Sequence, residues 1–171
     1  MEKLSPVLNR RSVRRYTDEP VTREEENLLL SAGFSAPSAC NSRPWEFIVV
    51  RDRESLAALS AVRPYWAMLK NAGLCVVVCA NLEGYQASDT AFFVQDCSAA
   101  TQNILVAAEG AGLGAVWLGC YPREDAMNGV HGVLGVPGDI IPVSVISVGH
   151  PAEHAKPHPQ IVPGRVHYEK Y

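Results

Sequence analysis

The sequence predicts an α+β or α/β sandwich, and three observations carry that expectation. Four short apolar, β-rich runs occur at 45–50, 74–80, 115–118 and 141–148. Segments of helical composition are interspersed with them. One of these segments, 87–111, has no proline and no interior glycine before Gly110, and it is rich in Ala, Gln and Leu. With Phe92, Phe93, Val94, Ala99, Ile104 and Val106 it keeps little polar face, so it is expected to be buried centrally or against another subunit.

Taken in order, residues 4–10 can form a short helix. Thr22, followed three residues later by Glu25, is a capping-box start for a helix running to about Ser35, with Gly33 and Pro37 as its stop. A polar loop, 37–43, precedes the first strand. Leu56–Ser60 and Tyr65–Asn71 read as helical, and Gly73 breaks the pattern before the second strand. That strand is almost uniformly apolar, which predicts cover on both faces. The glycines at 110–114 close the long helix, and 123–133 is a further helix before the last strand. The last 22 residues carry Pro151, Pro157, Pro159 and Pro163 and have no helical or strand period. They cannot build a core, yet Ile161, Val162, Val166, Tyr168 and Tyr171 argue against pure disorder, so 150–171 is expected to be an extended arm on this fold or on a partner.

The 171 residues fit one domain, 1–171, since domains commonly run to roughly 100–200 residues. Hydrophobic residues make up 47% and charged residues 19%, and that apolar excess hints at a second buried surface. A net charge of −3 gives no global attraction to nucleic acid or an anionic membrane, so any basic site must be local. Four of the five cysteines lie in apolar runs, as packing thiols do, which points to a reducing compartment. The N-terminus lacks an apolar signal core, and no stretch approaches the roughly 20 apolar residues of a membrane span. A soluble, cytoplasmic protein is expected, with neither nucleic acid nor membrane as partner.

Three features could carry chemistry. Arg10-Arg11-Ser12-Val13-Arg14-Arg15 sets four guanidinium groups around a hydroxyl. Such groups match phosphate oxygens, whose charge offsets the repulsion among the arginines. A solvated basic patch is the plainer alternative, and nucleic-acid contact a weaker one. The loop Pro37-Ser38-Ala39-Cys40-Asn41-Ser42-Arg43-Pro44 holds polar side chains between prolines, which suits recognition of a heterocycle edge or simply a turn. Gly112 to Gly119 lacks the spacing of a dinucleotide fingerprint and reads as a helix stop leading into a strand, with Gly119 permitting close backbone approach. Cys40 has no histidine near it in sequence to act as its base, His131 reads as a packing residue, and the other histidines lack metal-ligand spacing. No metal is expected, and no hydrolase-type nucleophile motif is present.

In this order, RRSVRRY at 10–16, PSACNSRPWEF at 37–47, the run from Asp96 to GLGAVWLG at 112–119, GHPAEHAKPHP at 149–159 and VHYEKY at 166–171 resemble the nitroreductase family over essentially the whole chain. The resemblance implies an α+β three-layer sandwich, its central, mainly antiparallel sheet flanked by helices, in an interlocked homodimer with FMN at the subunit interface. It implies that Arg10 and Ser12 hold the FMN phosphate, that Arg11 helps through backbone or side chain, and that Arg14 approaches the ribityl or pyrimidine part. Lys156 and His158 fall where the family carries a basic pair that completes the phosphate site. Pro37, Ser38 and Asn41 would reach the flavin of the other subunit, and Leu118 and Gly119 would offer backbone amides near flavin N5 and O4.

Three departures stand out: Arg43 where glutamine is common, His158 in place of arginine, and Ala67 where some members carry a basic residue. The activity implied is ping-pong transfer of hydride equivalents from NADH or NADPH to a small acceptor such as a nitroaromatic or quinone. Flavin N5 then carries the chemistry, and no side chain is catalytic. A non-catalytic flavin-binding, storage or sensing protein, and a specialised chemistry such as flavin cleavage, are the competing readings.

Overall fold

The computed structural model describes residues 5–87, 91–153 and 162–171; the predicted contacts of Lys156 and His158 lie outside them. Four strands, β1 (Trp45–Val50), β2 (Leu74–Ala80), β3 (Gly114–Gly119) and β4 (Ile141–Gly149), form one sheet in the order β1-β2-β4-β3. Every neighbouring pair is antiparallel. The fold is therefore α+β, which resolves the α/β alternative.

Two helical layers cover the sheet because the side chains of each strand alternate between its faces. On β2, Leu74, Val76 and Val78 join one core cluster with Leu29 of α2 (Arg23–Phe34) and Phe93, Cys97, Ala100 and Ile104 of α4 (Phe92–Gly110). Cys75, Val77 and Cys79 join the other, with Leu56 and Leu59 of α3 (Arg53–Val62) and Ala126 and Val130 of α5 (Glu124–Leu134). All seven residues of β2 are fully buried, as its uninterrupted apolar sequence demands. Each large aliphatic side chain so buried stabilises the fold by roughly 1.5–3 kcal/mol.

The local signals act as expected. At α2 the Glu25 N–H donates to the Thr22 hydroxyl (3.2 Å), and the Thr22 N–H donates to the Glu25 carboxylate (2.7 Å). Asp52 caps α3 by accepting from the Ser55 N–H (2.8 Å). Gly135, at a φ of 64°, ends α5 in the left-handed region that glycine adopts without cost. A short helix, α1 (Ser5–Asn9), packs on α4.

Two elements differ from expectation. Residues Pro64–Asn71 form a 3-10 segment, set by Pro64 at its start and by the burial of Trp66 and Leu69. The long helix begins at Phe92 rather than near 87, and among the described residues only one side of it is covered. Gln95 and Gln102 are exposed, and Phe92 is 39% exposed. Residues 162–171 are exposed throughout and have no helix or strand. Among the described residues, no helix is long and apolar enough to cross a membrane.

Candidate functional site

The basic segment is placed by main-chain bonds. Ser12 bridges Ala115 on the outer edge of β3, where the Val13 N–H donates to the Ala115 carbonyl (3.0 Å). Tyr16 bridges Pro151, and its hydroxyl donates to the Val13 carbonyl (2.9 Å) and meets the Ser147 hydroxyl (3.0 Å). Burial pushes the Tyr16 phenol up, which keeps it a hydrogen-bond donor. Glu153, from the start of the tail, accepts from the Arg14 N–H (3.1 Å) and the Arg15 Nε (3.1 Å). Those contacts, the Arg14 N–H first, hold its carboxyl below the usual range.

The arginines fare differently. Arg11 is buried, and its Nη1 donates to the Leu8 carbonyl (3.0 Å) and the Arg10 carbonyl (2.6 Å), closing the end of α1. Arg10 is half-buried, while Ser12 and Arg14 are exposed. A cavity of about 660 Å³ opens beside this edge, lined by Arg14, by Trp117, Leu118 and Gly119 of β3, and by Arg63, Tyr65, Trp66 and Arg123 among others. The Ala115 carbonyl points outward to Val13, so strand alternation aims the Gly119 amide outward and the Leu118 amide toward β4. The Cys120 N–H, donating to the Val143 carbonyl of β4, fits that alternation. Gly119 thus turns its amide to the free edge, while the Leu118 side chain packs into the second core cluster and also lines the cavity. No atom lies within 4 Å of where a Cβ on Gly119 would stand, so a ring can approach its backbone.

The polar loop lies at the opposite edge, ahead of β1. Cys40, Asn41 and Arg43 all have positive φ, at 51°, 54° and 47°, a conformation costing of order 1–3 kcal/mol for a non-glycine residue. Local bonds and one distant carboxylate hold it. The Arg43 N–H donates to the Ser38 hydroxyl (2.9 Å) and the Arg43 Nε to the Asn41 side-chain oxygen (2.9 Å). Asp96, buried on α4, accepts from the Ala39 N–H (2.9 Å) and the Tyr85 hydroxyl (2.6 Å). Burial and then this bond push the Tyr85 phenol up. Pro37 and Asn41 are exposed and Ser38 is half-buried.

Within one chain, therefore, Arg10, Ser12, Arg14, Leu118 and Gly119 gather at the β3 edge, and Pro37, Ser38 and Asn41 do not join them. Four steps of about 4.8 Å separate β1 from the bridged segment, roughly 19 Å across the sheet. Sequence reasoning missed Asp96 as the loop's anchor, and Arg63, Tyr65 and Arg123 as cavity residues. Their partners are remote in sequence, so no local signal marks them.

The cysteines offer no second chemistry. Burial pushes the Cys79, Cys97 and Cys120 thiols up to about 12, and Cys75 higher. Cys40 is exposed. The His131 ring packs at the end of α5 with Nδ1 3.0 Å from the Val136 carbonyl. Among the described residues no group of three or more His, Cys, Asp or Glu is placed to hold a metal ion.

Comparison with known proteins agrees with this architecture. The Nitroreductase family model matches residues 7–63 and 55–150. A candidate NADH dehydrogenase/NAD(P)H nitroreductase of Methanothermobacter thermautotrophicus is 44% identical, over 100% of this chain and 88% of that protein. A crystal structure of a similarly named protein from Parabacteroides distasonis has a TM-score of 0.93 at 40% identity, covering 100% of this chain and 99% of its own. A candidate nitroreductase of Desulfovibrio desulfuricans, crystallised in complex with FMN, has a TM-score of 0.83 at 32% identity, covering 98% and 96%.

Proposed function

The chain belongs to the nitroreductase family, and from that premise we propose that it is an FMN-dependent oxidoreductase passing hydride equivalents from NADH or NADPH to a small acceptor such as a nitroaromatic or quinone. The observation that carries this reading is the cavity where Arg14 faces the free edge of β3.

The residues present fit the cofactor. A volume of about 660 Å³ falls within the roughly 300–1,000 Å³ usual for such ligands. The open backbone at Gly119 admits a planar ring, and the exposed Ser12 hydroxyl beside Arg10 suits a phosphate. Bound there, FMN supplies the hydride-accepting nitrogen N5. The chain's own part is to bind and orient. Arg10 and Ser12 hold the phosphate, with Lys156 and His158 proposed to complete its charge. Arg14 keeps a cation beside the pyrimidine edge, and the Gly119 amide donates toward the ring. Arg11 supports the phosphate site by fixing the end of α1.

A homodimer is part of the proposal. Two points support it: β1 and the bridged segment lie four strand positions apart, roughly 19 Å, and among the described residues one side of α4 stays open, with Phe92 exposed. The Pro37, Ser38 and Asn41 loop of a second copy then closes the site. Donor and acceptor share one open cavity in turn, which is a ping-pong order.

The test is to purify the protein, record its visible spectrum, and add NADH or NADPH without oxygen. Yellow absorbance that bleaches, and returns when a nitroaromatic or quinone is added, is expected, with parallel double-reciprocal rate plots. A protein that takes up no FMN would sink the reading. A yellow protein that no nicotinamide bleaches would leave a storage or sensing role.

A further inference from the structure

Two arginines in the cavity have no part in holding FMN. Arg63 follows α3 in an extended conformation ahead of Pro64; its side chain is only 17% exposed, and it pairs with Asp125 in the first turn of α5. Arg123 stands one turn past β3. Its N–H donates to the Cys120 carbonyl (2.9 Å), and its carbonyl accepts from the Met127 N–H (3.0 Å), so its backbone is fixed while its side chain is exposed. Both line the same cavity as Arg14. Tyr65, 80% exposed, and Trp117, 36% exposed, complete the wall with aromatic surface.

Three guanidinium groups thus line one cavity, Arg63 among them paired with Asp125, and among the described residues no carboxylate is part of its lining. A ligand anion entering there would meet Arg123, whose side chain is exposed, and the fixed Arg63. The FMN phosphate is assigned to Arg10 and Ser12, so the remaining cations face the ligand that exchanges. Exposed aromatic rings beside them favour a planar partner.

We propose that Arg63 and Arg123 form an anion-recognising subsite that selects exchanging ligands bearing both a negative group and a planar ring. This rests on the reading that the cavity holds FMN. Arg123 supplies the mobile, exposed contact. Arg63, oriented by Asp125, supplies the fixed one. The anion has two sources with the same chemistry: a carboxylate on the acceptor, or the extra phosphate that distinguishes NADPH from NADH.

The experiment uses the FMN-loaded protein and compares 4-nitrobenzoate with the neutral 4-nitrobenzamide, and NADPH with NADH, in wild type, Arg123→Gln and Arg123→Lys. Arg123→Gln should raise KM for the anionic member of one pair about tenfold relative to its neutral or less charged counterpart, with kcat changed much less. Arg123→Lys, which keeps the charge, should retain most of the preference. Added salt should erode it in wild type, because exposed charges are screened. A shift in the first pair places the anion on the acceptor; a shift in the second places it on the donor. Equal changes for all four ligands, or none, overturn the subsite. So does loss of bound FMN from Arg123→Gln, which would put Arg123 in the flavin site. Failure of the cofactor reading is separate, since the wild type would then take up no FMN.

Discussion

The arginine segment, 10–16, and the polar loop, 37–44, lie at opposite edges of one sheet and are held by opposite means. The segment is an added edge to β3, fixed by main-chain bonds to Ala115, His150 and Ala152. It contains no residue of positive φ. Arg11, Arg15 and Tyr16 add side-chain bonds to that frame, while Ser12 and Arg14 stay exposed. The loop has three non-glycine residues of positive φ within four positions, and a buried carboxylate on α4 ties it down. Main-chain pairing tolerates side-chain change, whereas a strained loop persists only while its anchors over-determine it. The two regions should therefore fail differently.

The largest effect is expected at the anchor. Asp96→Ala leaves the Ala39 N–H and the Tyr85 hydroxyl without their acceptor and frees the loop to relax. We expect a loss of about 2–4 kcal/mol in denaturant unfolding, since buried hydrogen-bonded networks break at that scale. Asp96→Asn keeps one acceptor oxygen and should lose roughly half as much. Equal stability of Asp96→Ala and wild type would mean that the loop holds its shape unaided.

Arg10→Ala should give the converse pattern. Its guanidinium makes none of the main-chain bonds that place the segment, so unfolding should shift by less than about 0.5 kcal/mol. FMN affinity, measured by fluorescence titration, should fall by about 1.5–3 kcal/mol, the usual worth of a charge-assisted contact. A variant that unfolds readily yet still binds FMN would reverse the contrast between the two regions.

The same contrast explains what could be read from the sequence. Thr22 with Glu25, Gly135 and the apolar run of β2 are local signals, because the bonds or burial they specify involve near neighbours or a single strand. Composition alone marks the motif at 10–16 as a candidate anion site beside the plainer reading of a solvated patch, whereas its FMN reading comes from family resemblance. Asp96 was not legible as an anchor: its partner at Ala39 is 57 residues away, and nothing in its own helix marks it. Nor were Arg63 and Arg123, which come to line one cavity only because α3 and α5 pack together. The left-handed loop was hidden too, since Asn41 alone among Cys40, Asn41 and Arg43 favours that region. The 3-10 form of 64–71 follows from burying Trp66 and Leu69, a tertiary cause that overrides a helical composition.

A smaller effect of opposite sign is expected within the loop. Cys40, at a φ of 51° and ψ of 22°, would lose its steric strain as glycine. Glycine also raises the entropy of the unfolded chain, which offsets part of the gain. Cys40→Gly should therefore stabilise by only about 0.5–1 kcal/mol, read from the midpoint of unfolding. The same substitution at Ser12, where φ is not positive, should destabilise by a comparable amount. Destabilisation by Cys40→Gly would show that the thiol makes contacts worth more than the strain it bears.

The smallest effect concerns the bond between the segment and the tail. Contacts from the Arg14 N–H and from Arg15 lower the Glu153 pKa in the folded state. A carboxyl so lowered stabilises the fold fully above its unfolded value of about 4.3, and loses that contribution as pH falls through the lower folded value. The pair is partly exposed, with Glu153 at 31% and Arg15 at 74%, so screening holds the contribution below about 1 kcal/mol. Glu153→Gln keeps an oxygen for the Arg14 N–H and removes the charge. Its stability deficit at pH 7 should shrink progressively below pH about 4 and vanish once wild-type Glu153 is protonated. A deficit that stays constant through that range would assign the stabilisation to hydrogen-bond geometry, and the arginine segment would then owe its placement to the backbone alone.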